Sequence, residues 1–221
     1  GPQSRGAVTF KSVTLKQAMM GAQFWLLWFV QFAVFGAGVA TNQMVGLVME
    51  SFGNREAAGL GVANFALASS VSRLAVGKLS EDVGSRFRWI WVAALCAVAS
   101  QVLMATMHFS GIMTGVFLAG LAFGIFFSVL GPVVEDMYGR RYFPRVMGGQ
   151  LTSQAFSAML ICRGLLPFVY NKAAEGKDIC LGPSCFRASF MTLAGLNIAA
   201  FCAAVDLARY QSASMRVGQA K

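Results

Sequence analysis

The chain has 221 residues, 57% of them hydrophobic and only 12% charged, with a mean hydropathy of +0.61, against roughly 45–50% apolar and about 25% charged in soluble globular domains. The apolar residues come in runs of about 20 without a regular polar face, which excludes a single soluble domain and the alternating ten-residue strands of an outer-membrane barrel. The net charge of +9 does not argue for a nucleic-acid partner, because most of the 18 Lys and Arg lie in short segments between apolar runs, where basic residues set membrane topology.

In chain order, residues 1–20 read as an N-terminal arm or inter-bundle linker. Six segments then hold the roughly 20 apolar residues that a helix needs to cross some 30 Å of hydrocarbon. They are Ala22 to Val48, Ala57 to Val76, Trp89 to Met107, Ile112 to Val134, Met147 to Tyr170 and Ala188 to Leu207. We therefore expect an all-α, polytopic membrane protein whose six transmembrane helices form one bundle over residues 21–208, followed by a tail at 209–221. The first run is too long for a signal-peptide core and has no small-residue cleavage site behind it, so it reads as a retained helix.

Orientation follows from the basic residues. One side holds Arg5, Lys11 and Lys16 in the arm, Lys78, Arg86 and Arg88 in the second loop, Arg140, Arg141 and Arg145 in the fourth, and Arg209, Arg216 and Lys221 in the tail. The other side holds only Arg55, Lys172, Lys177 and Arg187. Basic residues resist translocation, so both termini are expected in the cytoplasm, in a plasma or organelle membrane. On the opposite face lie Cys180 and Cys185, where oxidising conditions favour a disulfide closing a small loop, the alternative being two free thiols. Cys96, Cys162 and Cys202 fall within spans and read as small buried residues. One His and no paired carboxylates at midplane depth leave no basis for an enzyme, a metal site or a cofactor.

The second loop reads Gly77-Lys-Leu-Ser-Glu81-Asp82-Val-Gly84-Ser-Arg86. Gly77 and Gly84 permit tight turns and close helix approach, and Glu81 and Asp82 can pair with Arg or with helix N-terminal amides, giving a latch that two conformations make or break. This loop resembles the signature between the second and third helices of each half of the major facilitator superfamily. Phe24-Trp25-Leu26-Leu27, Gly36-Ala-Gly38, Glu50-Ser51-Phe52-Gly53, Gly120-Leu-Ala-Phe-Gly124, Asp136-Met-Tyr138-Gly139 and Cys185-Phe186-Arg187, in that order, are similar to the second half of a nodulin-like member, a branch related to monocarboxylate and oxalate/formate carriers. The resemblance implies transport, symport among its modes, of a small organic anion between two six-helix bundles, with the substrate site near the bilayer midplane. The first bundle is then expected to be missing from this chain, which starts Gly1-Pro2, and a second copy of the same half is the less favoured way to rebuild the site. A six-helix scaffold without transport activity is the competing reading.

Charges inside spans are costly and mark function by default. Arg73 precedes Gly77 by one helical turn, and the resemblance places there a basic residue near the substrate carboxylate, with Ser69 where relatives carry Asp. Snorkelling to the nearby helix end competes with that role. Arg163 lies deeper, four residues before Pro167, which cannot donate to its carbonyl, so the helix is expected to loosen at the charge. On a wheel of 100° per residue Arg163 shares a face with Thr152 and Phe156. Asn42, Gln43, Asn64 and Gln154 complete the candidates for a substrate or gating contact, although such groups more often join helices. Gly111/Gly115 and Gly120/Gly124 form small-residue faces suited to close packing within the bundle.

Overall fold

The structure, a computed structural model, describes residues 14–54, 56–80, 83–173 and 183–219. Glu81, Asp82 and Cys180, together with the side chain of Cys185, lie outside the described residues. Among the described residues every regular element is helical. A short α1 (Leu15–Met19) opens on a capping box in which the Thr14 hydroxyl accepts from the Gln17 N–H and the Gln17 side chain accepts from the Thr14 N–H. There follow α2 (Ala22–Ser51), α3 (Ala57–Leu79), α4 (Val83–Ala105), α5 (Phe109–Tyr138), α6 (Phe143–Ser157), a π-helical segment (Ala158–Leu165), α7 (Leu166–Ala173) and α8 (Pro183–Gln219). The last of these carries the helix through most of the expected tail. Gly139, at φ 79°, terminates α5 and returns its N–H to the Glu135 carbonyl at 2.8 Å, a backbone conformation that a Cβ would oppose.

Five of these helices are long and apolar enough to cross a bilayer: 22–51, 57–79, 86–105, 109–138 and 186–210. The expected span from Met147 to Tyr170 is helical but is not one helix, being divided into pieces of 15, 8 and 8 residues. The cause is local. Leu166 donates to the Ile161 carbonyl, five residues back, and the next acceptor in that register, Cys162, would need an N–H from Pro167, which has none.

Lipid tails are as apolar as leucine, so close backbone approach and polar bonds must hold such helices together. The central helix is α5, which uses its two glycine pairs on different neighbours. A Cβ at Gly111 or Gly115 would crowd the α4 carbonyls of Leu103 and Ser100, at 3.0 and 2.9 Å. A Cβ at Gly120 would overlap the Phe65 carbonyl of α3, and one at Gly124 would overlap Ser72 and the Ser69 carbonyl. On the other side α6 is tied to α2, where Gln150 donates to the Phe24 carbonyl (3.0 Å) and Ser157 to that of Phe32 (2.8 Å). The apolar core forms two clusters. One surrounds Phe24, Leu27, Ile90, Phe126 and Val133, and the other surrounds Met44, Met104, Ile112, Phe190 and Leu193. A buried bond from Gln101 to Thr41 (3.1 Å) joins α4 to α2.

Candidate functional site

Two features of α5 govern the surroundings of Arg73. The Gly120/Gly124 face lets α3 approach so closely that Ser69 and Ser72 are buried in the crossing, and Ser69 packs there rather than offering a charge. One turn further along, the Ser128 hydroxyl donates to the Arg73 carbonyl at 3.2 Å. Pro132 lies inside α5 and supplies no N–H to the Ser128 carbonyl four residues back, so the helix is loosened there.

The Arg73 guanidinium lies 5.8 Å from the ring centres of both Phe123 and Phe127, within the range of cation–π attraction. Those rings are one turn apart on α5 with centres 4.7 Å apart, and Phe35 of α2 closes on them at 5.8 and 6.0 Å. Phe123 stands midway along α5. The side chain of Arg73 is exposed and lies against rings from the middle turns of α5. Among the described residues no hydrogen-bond acceptor or carboxylate meets this guanidinium. Two rings flank it and its N–H groups are unoccupied, the groups through which arginine grips a carboxylate with two parallel bonds.

Arg163 is exposed on the π segment, and no acidic partner meets it among the described residues. The buried side of the same helix, Ser157 and Ile161, packs on Gly36 of α2. Thr152 and Phe156 instead meet Trp28, whose indole N–H donates to the Thr152 hydroxyl at 3.0 Å. The π turn intervenes between Phe156 and Arg163, so the 100° wheel that put them on one face does not hold across it.

The polar candidates separate. Asn64 donates to the Met113 carbonyl at 2.9 Å and joins α3 to α5. Gln43 lines a cavity of about 260 Å³ with Leu47, Cys162, Pro167, Tyr170 and Phe186, between α2, the π segment, α7 and α8. Asn42 is exposed on α2, and Gln154 is half-buried on α6. Gln31 is fully buried. These residues are not gathered into one constellation with Arg73.

At the end of the bundle where α3 stops, Arg86 of α4 grips both carboxylate oxygens of Asp136 at 2.9 and 2.7 Å and donates through Nε to the Ser80 carbonyl at 2.9 Å. Three helix ends, those of α3, α4 and α5, meet at this one guanidinium, and Arg140 pairs with Glu135 beside it at 2.8 Å. Gly77 sits inside α3, where a Cβ would make ordinary 3.6 Å contact with the Ser128 hydroxyl, and Gly84 falls in the first turn of α4. Both glycines are therefore helical, not turn-forming. The sequence marks Asp136 through the Asp136-Met-Tyr138-Gly139 motif but not as the partner of Arg86, because Glu81 and Asp82 lie nearer along the chain. Phe35, Phe123 and Phe127 escaped sequence reasoning as packing residues, although 28/32/35 on α2 and 123/127 on α5 share faces at helical spacing.

Comparison with known proteins yields a family model, the Major Facilitator Superfamily, that matches residues 27–214. No curated protein and no solved structure matches. The match runs from the first turns of α2 into the last turns of α8, across an all-helical set of membrane-length elements. The chain belongs to the Major Facilitator Superfamily, whose members are membrane transporters of small solutes.

Proposed function

We propose that this chain is the second of two six-helix bundles of a secondary carrier for a small organic anion, in the nodulin-like, monocarboxylate-carrier-like branch of the superfamily. Both termini are cytoplasmic in this reading, and the α6–π–α7 run serves as the sixth passage. The observation that supports it best is Arg73, an exposed cation set within an apolar helix against two phenylalanine rings, with its N–H groups unoccupied. A permanent charge in an apolar layer is costly without a counter-charge, and a transported anion supplies one when it binds. The first bundle closes the site from the opposite side, and rocking of the two bundles exposes it to each face in turn.

The Arg86–Asp136 pair and its bond to Ser80 act as the latch of that cycle, fixing three helix ends while the site faces away from them. Arg163, on a helix segment with a weakened ladder, serves as a second anion contact or as a gate. Uptake of labelled monocarboxylates by the two-bundle carrier tests the assignment. Arg73→Gln is expected to lower uptake by about a hundredfold, the factor for about 2.7 kcal/mol of lost charge pairing, with a smaller loss for Arg163→Gln. Undiminished uptake in both variants, at equal surface expression, rules out the two arginines as substrate contacts.

A further inference from the structure

We infer that the anion taken by this site is a monocarboxylate with a flat aromatic body, selected by a shelf of aromatic rings running from Arg73 along α2. The inference rests on the proposed role of Arg73 and adds what chemistry lies beside it. Arg73 touches Phe123 and Phe127, Phe35 bridges those two rings, and all three are only half-buried. On α2 the same face continues through Phe32 and Trp28, which stack with centres 5.6 Å apart and planes 11° apart, and Phe156 of α6 closes on Trp28 at 6.0 Å. Trp28, Phe32 and Phe35 stand at i, i+4 and i+7, one stripe on one side of a helix.

A carboxylate bound to this guanidinium brings the rest of its molecule beside the rings that flank it. A flat aromatic body then stacks or meets them edge to face, each such pair adding about three- to tenfold in affinity beyond area burial. Lactate and acetate have no flat face to stack on these rings. A dicarboxylate fares worse, because ring faces carry negative quadrupole density and the second charge would be set against them with no cation beside it. Among the described residues Arg73 is the one cation in contact with this group of rings. The shelf thus discriminates on two counts, favouring an aromatic body and admitting a single negative charge.

The test compares labelled 4-hydroxybenzoate, lactate and succinate in cells expressing the two-bundle carrier, above the uptake of cells lacking it. Expected is a preference for 4-hydroxybenzoate over lactate of tenfold or more, with succinate slowest. Phe35→Leu and Phe127→Leu should each lower the 4-hydroxybenzoate to lactate ratio by three- to tenfold while lactate uptake persists. The ratio is taken within one preparation, so a partial loss of folded carrier does not move it. If Arg73→Gln abolishes uptake of all three but the ratio is near one, or both Phe variants leave it unchanged, the aromatic shelf is refuted while the anion site stands. If Arg73→Gln alters none of the three, or none is carried at all, the anion site itself is refuted and the shelf with it.

Discussion

The α3–α5 crossing and the α6–π–α7 run each carry one arginine in an apolar helix and hold it by opposite means. At the crossing, Gly120 and Gly124 bring two backbones into direct contact, and the position of Arg73 is fixed from both sides, by Ser128 on its carbonyl and by the Phe123 and Phe127 rings on its guanidinium. Along the other run, Pro167 starves the helical ladder of a donor and the turn widens to the π form; Arg163, exposed as Arg73 is, has no ring contact among the described residues. Close packing suits a group that must be aimed in advance. A weakened ladder suits one that must shift during a cycle.

The largest test of this contrast is Gly124→Val. A valine there collides with a carbonyl oxygen of the facing helix, which cannot rotate away as a side chain can, so the two helices must separate. We expect a cost of about 3 kcal/mol, read as a lower thermal midpoint in detergent, and a loss of uptake comparable to that of Arg73→Gln. An unchanged midpoint would show that the crossing is not rigid and would remove half of the comparison.

Next in size is Asp136→Asn. The variant removes the negative charge that Arg86, only 22% exposed at its side chain, meets through both Asp136 oxygens. Charge-assisted bonds of this kind contribute about 1–2 kcal/mol when partly exposed to solvent. A thermal midpoint lowered by that amount, partly restored by the Arg86→Asp/Asp136→Arg exchange, is expected. Failure of the exchange together with a neutral single variant would mean that the three helix ends are held by their own packing.

Much of this arrangement was legible in the sequence, for reasons that differ by feature. Long apolar runs report helices crossing a bilayer because backbone groups in lipid must be satisfied within the helix, and glycines four apart report close approach because small residues let two backbones meet. Pro167 reported the weak point in the fifth span, since its missing donor is a covalent fact. What could not be read was pairing across the fold. Asp136 is fifty positions from Arg86, and no local pattern distinguishes it from Glu81 or Asp82. Likewise Phe35 and Phe123 become one aromatic group only when α2 and α5 meet, and a phenylalanine in a span carries no mark separating a lipid-facing ring from a cavity-facing one.

Pro167→Ala sharpens the other half of the contrast. Alanine removes the ring that crowds the Arg163 carbonyl four residues back and supplies an N–H to it, so the helix should tighten toward the ordinary i→i−4 ladder and carry Arg163 round with it. We expect the carrier to gain about 1 kcal/mol in stability while uptake falls several-fold, the pattern of a segment whose weakness serves the transport cycle. Uptake that stays level as the midpoint rises would instead make the π segment a tolerated defect.

The smallest effect, and the one that tests the physical basis of the first, is Gly195→Ala. Gly195 lies in the middle of α8 with nothing within 4 Å of its would-be Cβ, so a methyl group costs no space and only reduces the freedom of the chain. Helix propensity then favours alanine by about 0.5–1 kcal/mol, giving a slightly higher midpoint, whereas Gly124→Ala must lower it because the same gain is outweighed by overlap with Ser69 and Ser72. Opposite signs for one chemical change at two helical glycines isolate interhelical crowding as the cause. Equal signs would return both glycines to the class of intrinsic helix preference and leave the α3–α5 crossing without its proposed lock.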